Sequence, residues 1–143
     1  MGKKRIITES GVDNAGTAGK ATVATGKKKL ATGVFHIEAT YNNTKILLAD
    51  ASGNAYLWSS SGSLGFKGAK KGTPFAAGKV AELLVDRSQA LGLKEVDVVV
   101  RGVGAGREAA IRAFAGKGLV INSIKDTTPV PFNGPKPKKP RRV

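Results

Sequence analysis

The chain has 143 residues, with 24 lysines and arginines against ten aspartates and glutamates, a formal charge of +14, one histidine and no cysteine. Such a length holds one compact domain, the missing cysteines exclude a disulfide framework and thiolate chemistry, and a lone His36 cannot supply a zinc site of the usual nitrogen and sulfur ligands. Residues 1–30 carry seven basic and two acidic side chains, residues 31–133 twelve and eight, and residues 134–143 five and none, and such single-sign blocks point to a polyanionic partner.

Lys3, Lys4 and Arg5 open the chain, but Ile6 and Ile7 are followed by polar residues, so no signal peptide is expected. No apolar run approaches membrane-spanning length, and no membrane partner is expected. Residues 8–33 are rich in Gly, Ala, Thr and Lys with few large apolar side chains, too little to offset the entropy of folding. Residues 1–32 are therefore predicted to be a flexible basic arm. Three antiparallel strands are predicted over residues 34–41, 45–49 and 55–59, separated by turn residues at 42–44 and 50–54. A loop over residues 60–72 interleaves glycines with Phe66, Lys67, Lys70 and Lys71.

Thr73 and Pro74 open a helix, as N-cap and first helical residue, and Gly92 closes it. Its inward face is predicted to hold Ala76, Val80, Leu83, Leu84 and Leu91. Residues 96–100 form a β-branched run interrupted only by Asp97, which suits a strand buried inside a sheet. A glycine-rich turn over residues 101–106 leads to a helix over 107–116 with Ile111 and Phe114 inward, then to a last strand over 119–124. The order βββαβαβ predicts an α/β domain with a mixed sheet over residues 33–133. Residues 134–143 form a basic tail whose prolines 135, 137 and 140 forbid a helix and display Lys136, Lys138, Lys139, Arg141 and Arg142 on an extended chain.

The turn with Gly102, Gly104 and Gly106 sits between a strand and a helix, as in a dinucleotide fold, and Asp126 lies about where a ribose-binding acid would. Arg107 occupies the place where that fingerprint needs glycine. The preferred reading is a phosphate cradle of free backbone N–H groups flanked by Arg101 and Arg107; the plain alternative is glycines needed only for a tight turn. A cation at a helix start is unfavourable to the free helix, so Arg107→Ala is expected to leave the free domain equally or slightly more stable. Phe66 suits stacking on a base or plugging the core, and Lys67, Lys70 and Lys71 suit phosphates. Trp58, on a strand, is expected in the core, with a stacking platform as the alternative. Asn42, Asn43 and Thr44 either cap a hairpin or donate to phosphate and ribose. Asp50 and Asp126 each follow an apolar strand, so a magnesium-holding carboxylate pair is a further alternative, although turn and capping roles explain them more simply. His36 reads as a packed or RNA-contacting histidine, because no nucleophile pattern accompanies it.

Several segments together resemble the small-subunit ribosomal protein S-eleven family, bacterial type. They run from Gly33-Val34-Phe35-His36-Ile37 through Tyr41-Asn42-Asn43-Thr44, Gly53-Asn54-Ala55, Trp58-Ser59 and Gly65-Phe66-Lys67-Gly68 to Gly72-Thr73-Pro74-Phe75-Ala76-Ala77. The turn from Gly102 to Glu108, the run from Asp126 to Gly134 and the end Arg141-Arg142-Val143 complete the set. Departures stand at Val103 and Ala105, where the family usually has prolines, at Leu57, usually glycine, and at Glu38, usually a second histidine.

The resemblance implies a non-catalytic, ribosome-bound cytoplasmic protein without cofactor or metal, whose fold is similar to a ribonuclease-H-type sheet lacking the metal carboxylates. It implies binding to small-subunit, 16S-type rRNA on the platform, beside neighbouring platform ribosomal proteins and near the mRNA exit path, in support of translation. Asn133 joins the candidate RNA contacts through this resemblance. Alternatives are a free-standing RNA-binding protein or RNA chaperone, and a metal-dependent nuclease.

Overall fold

The computed structural model describes residues 29–142. The expected element order is found: strands β1 (Thr32–Ala39), β2 (Thr44–Ala49) and β3 (Ala55–Ser60), helix α1 (Pro74–Gln89), strand β4 (Glu95–Arg101), helix α2 (Gly106–Gly116) and strand β5 (Val120–Asp126). The sheet runs β3-β2-β1-β4-β5. Its first three strands pair antiparallel, while β4 pairs parallel to both β1 and β5. The short two-residue spacing of side chains in a strand puts Phe35 and Ile37 of β1, Ile46 and Leu48 of β2, Leu57 of β3 and Val96, Val98 and Val100 of β4 on one face, and all are buried. Both helices cover that face, through Val80, Leu84 and Val85 of α1 and Phe114 of α2. At its centre the rings of Phe35 and Phe114 stack with centroids 4.3 Å apart.

Among the described residues the opposite face carries no helix. There His36 and Glu38 of β1, Lys45 of β2 and Trp58 of β3 are exposed. Accordingly β4 is interior to the sheet but only one of its faces is fully covered, and Asp97 and Val99 are half-buried. In α1, Thr73 caps the first turn as predicted, its Oγ1 accepting from the Ala76 N–H at 3.3 Å. The inward face differs in detail: Ala77, Ala81, Val85 and Ser88 are buried while Leu83 and Leu91 are only half-buried. The helix is packed from two sides, by the sheet and by α2, which broadens its apolar stripe.

Gly78 lies inside α1, and a methyl group placed on it meets nothing within 4 Å. Because glycine loses more backbone entropy in a helix than alanine, Gly78→Ala is expected to stabilise the domain by about 0.5–1 kcal/mol, read as a raised urea midpoint at unchanged slope.

Strand polarity sets the placement of the candidate site residues. The carboxyl ends of β1, β3, β4 and β5 and the amino end of β2 share one edge of the molecule. Both helices begin at that edge, because α1 follows β3 and α2 follows β4. At the opposite edge the chain enters the fold: the Leu30 N–H donates to the Leu91 carbonyl at 3.0 Å, and Lys94 N–H donates to the Ala31 carbonyl at 3.1 Å. Leu30, read above as part of the arm, is buried in the core cluster. The rest of the expected arm, residues 1–28, lies outside the described residues. Residues 129–142 carry no helix or strand and are exposed throughout.

Candidate nucleic-acid interface

The segments singled out from sequence converge on the shared edge. Asn42 and Asn43 sit in the β1–β2 connection, whose backbone is closed by Thr40 N–H donating to the Asn43 carbonyl at 2.8 Å and Asn43 N–H donating to Thr40 Oγ1 at 3.1 Å. Asn42 is exposed and Asn43 half-buried. Thr44 is a correction. It is the first residue of β2, fully buried, and its hydroxyl packs against Gly106. A side chain in that position faces α2 and offers nothing to an outside phosphate. The Oδ1 of Asn43 and the Oγ1 of Thr44 are buried without a hydrogen-bond partner among the described residues.

The segment between β3 and α1 is more ordered than a simple loop. Ser63 knots its start, its Oγ accepting from the Ser60 N–H at 2.9 Å and donating to the Ser60 carbonyl at 2.8 Å. Ser61 is fully buried. A short 3₁₀ helix, Gly68–Gly72, then brings Lys70 and Lys71 into its last turn, just before the α1 N-cap. Gly72 packs against the Tyr41 carbonyl, which ties this segment to the β1–β2 connection. Phe66 is half-buried and meets the exposed Phe75 edge-on, with ring centroids 6.2 Å apart. The ammonium of Lys79 lies 5.6 Å over the Phe75 ring. Lys67 is exposed. Since α1 has no acidic residue in its first turn, the positive end of its dipole adds to these cations.

Trp58 corrects the expectation of a core residue. It is 50% exposed on the helix-free face, while its neighbour Leu57 is buried under α1. With His36, Glu38, Lys45 and Leu47 it lines a shallow cavity of about 270 Å³. Its ring is thus available as a platform.

The turn between β4 and α2 departs from the expected cradle of free N–H groups. The Gly102 N–H donates to Thr128 Oγ1 at 3.1 Å, and the Gly104 N–H donates to the Ala39 carbonyl at 2.9 Å. Gly102 has φ +99, and a methyl group there or on Gly104 would collide with the carbonyls of Ala39 and Thr40. These glycines are required by the close approach of the turn to the end of β1, as the plain alternative had it. Gly104 and Gly106 are buried. Arg101 is exposed and makes no ion pair among the described residues.

Arg107 is also committed within the chain. Its guanidinium donates to the Gly102 carbonyl, to Thr128 Oγ1 at 3.2 Å and to the Asp126 carboxylate. Thr128 completes the clasp, its hydroxyl donating to Asp126 Oδ1 at 2.6 Å and its N–H at 2.9 Å. Asp126 is therefore not placed as a ribose ligand. The Thr128 hydroxyl and N–H, followed by Arg107, hold its carboxyl down from 3.8 to about 2.

The clasp reverses the expectation for Arg107→Ala. Removing the guanidinium deprives Asp126, Thr128 and the turn of a shared donor, so the variant is expected to melt lower than wild type, a loss on the order of 1 kcal/mol. A group whose folded pKa is depressed contributes its stability above the unfolded value and loses it as pH falls through the folded one. Between pH 3.8 and about 2 the melting difference between wild type and Asp126→Asn is therefore expected to shrink. A difference constant across that window would show that the charge of Asp126 does not act in the clasp.

Asp50 belongs to the opposite edge. It opens the β2–β3 turn, accepting from the Asn54 N–H and from Asn54 Nδ2, each at 2.9 Å, and these bonds lower its pKa. Because β2 runs against β5, Asp50 and Asp126 stand at opposite ends of the sheet and form no metal-holding pair. Among the described residues no group of three acidic, histidine or cysteine side chains is arranged to hold a metal, and no helix is long and apolar enough to cross a membrane.

The tail leaves from the same edge as the turn, after β5. Thr127 N–H still donates to the Val100 carbonyl at 2.9 Å, and beyond it Asn133, at φ 56, turns the chain. Asn133, Lys136, Lys138, Lys139, Arg141 and Arg142 are all exposed. Sequence reasoning missed Tyr41, Phe75 and Phe132, which are 79%, 66% and 94% exposed. The signal available was their position beside turn and loop residues, where an aromatic ring has no sheet face to pack on. A single edge thus gathers cations unpaired among the described residues, exposed rings and a helix N-terminus free of acids, the composition that meets sugar-phosphate and unstacked bases. A family model described as Ribosomal protein S11 matches residues 33–142, the sheet apart from its first residue, both helices and the tail, and the chain belongs to that family of small-subunit ribosomal proteins that bind rRNA.

Proposed function

We propose that the chain holds small-subunit, 16S-type rRNA on the platform of the subunit, near the path of departing mRNA and against neighbouring platform proteins, in the cytoplasm. The observation that carries this reading is the gathering of Asn42, Asn43, Phe66, Lys67, Lys70, Lys71, Arg101 and the tail from Asn133 to Arg142 at one edge of the sheet. The mechanism is binding. Lysines and arginines displace condensed counterions, exposed rings stack on unpaired bases, and the Pro-rich tail follows an RNA groove without having to break secondary structure. The basic arm ahead of Leu30 and the tail act as extensions of the domain, into which the structure draws Leu30 and Thr32. Trp58 serves as a contact on the helix-free face. Gly102, Gly104, Gly106, Thr44 and Arg107 serve by shaping the edge from within.

The test is sedimentation of tagged protein with purified small subunits through a gradient at high salt, followed by crosslinking. Retention, with crosslinks from the edge residues to platform rRNA, is the expected result. Release at high salt with binding to any structured RNA would favour a free-standing RNA-binding protein.

A further inference from the structure

A cavity of about 340 Å³ opens at the carboxyl ends of β1 and β4, among Glu38, Tyr41, Arg101, Val103 and Pro129. Its walls are largely apolar, and Tyr41 and Val103, 79% and 61% exposed, stand at it without packing partners that cover them. Arg101 is exposed and unpaired among the described residues. Glu38 lines this cavity as well as the one beside Trp58, and among the described residues its half-exposed carboxylate has one ion pair, with Lys45 at 3.8 Å. A carboxylate on the edge of a chain of formal charge +14 opposes phosphate binding, so its place here asks for a donor-bearing partner.

We propose that this cavity receives one unstacked guanine nucleotide of a single-stranded RNA segment. The inference rests on the RNA-binding reading above and adds a base-selective subsite to it. Apolar walls and an exposed phenol ring suit the face of any base, and Arg101 suits the phosphate attached to it. Glu38 decides which base. A carboxylate offers two acceptors side by side, and among the four RNA bases guanine alone presents two adjacent N–H donors, N1–H and N2–H, on its Watson–Crick edge. Cytosine and adenine offer one amino group beside an acceptor nitrogen, which the carboxylate repels. Uracil offers one N–H between two carbonyls. The paired geometry is that of other bidentate, charge-assisted contacts.

The test uses the full chain and four single-stranded pentamers, UUGUU, UUAUU, UUCUU and UUUUU, at low salt, with a small-subunit rRNA fragment as a fifth ligand. UUGUU is expected to bind at least about fivefold more tightly than the other three, as a good bidentate base contact allows. Its binding should shift the amide resonances of Tyr41, Arg101 and Val103. Glu38→Gln, at an exposed position and with thermal unfolding as a check on folding, is expected to bring the four pentamers to similar affinity. Tyr41→Ala is expected to weaken all four, by about fivefold or more, while keeping their order. Equal affinities in the wild type, or a guanine preference that survives Glu38→Gln, would overturn the subsite while binding of the rRNA fragment left the broader reading standing. Failure of the rRNA fragment and all pentamers to bind would overturn both.

Discussion

Removing residues 135–143 is expected to flatten the salt dependence of rRNA binding. The segment carries Lys136, Lys138, Lys139, Arg141 and Arg142 and no acid, and every one of these cations that the structure describes is exposed. With about six to ten phosphates neutralised, the intact protein should lose about three to five decades of affinity between ~50 and ~200 mM salt. Each contact contributes roughly 0.7–0.9 to the logarithmic slope, so five of them account for about two to three of those decades. Filter binding at four salt concentrations, for the intact and shortened chains, measures both slopes. Thermal unfolding should be nearly unaltered by the truncation, because no residue from 135 to 142 is buried. Parallel salt plots would show that the tail touches no phosphate.

The largest expected loss of stability comes from Gly102→Ala, with Gly104→Ala close behind. At Gly102 two costs coincide: a φ of +99, which an L side chain rarely adopts, and a methyl group driven into the Ala39 carbonyl. Left-handed strain of this kind costs on the order of 1–3 kcal/mol and overpacking a further ~1–3, so about 3 kcal/mol or more is expected. Gly104→Ala meets the Thr40 carbonyl in the same way, and its own N–H bond to Ala39 leaves the turn no room to retreat. Relief would require the turn to lift from β1, taking the Arg107 clasp with it. Chemical denaturation should show the loss, and rRNA affinity should fall in parallel because the edge itself is displaced. Gly116→Ala, in the last turn of α2 where a methyl group meets nothing within 4 Å, is the control and should be as stable as wild type or slightly more so. A Gly102→Ala protein as stable as that control would show that the turn is not pinned to β1.

Much of the fold was legible because local chemistry and global packing agree. Phe35 and Ile37 alternate with His36 and Glu38, Asp50 to Asn54 reads as a turn and closes as one, and Thr73 with Pro74 starts a helix where it should. Trp58 was not legible. Alternation divides a strand into two faces without saying which one the helices cover, and in β3 the small Ser59 lies beneath the helices while the indole lies outside. Thr44 was misjudged by one position, since a hydroxyl beside two asparagines looks like turn chemistry even when it is the first buried residue of a strand. Arg107 failed for a different reason. Its partners Asp126 and Thr128 lie 19 and 21 residues further along the chain, across a crossover, and no local pattern announces that contact. The exposure of the loop cations Lys67, Lys70 and Arg101 was easily read, as charge in a loop has few structural uses.

The chain enters its sheet at one edge, beside Leu91, and leaves it from the other, after Asp126. With strands of seven or eight residues at about 3.3 Å each, its two basic ends are rooted some 20–25 Å apart, with a stiff body between them. With both ends on RNA, as proposed above, such a body acts as a strut: each root takes a different RNA helix, and the rigid sheet fixes the distance between them. Once one end is held, the other searches only a small volume, so its attachment becomes effectively intramolecular and dissociation requires both to let go together. Lengthening or softening the body should therefore loosen the particle even if every contact at either end is preserved.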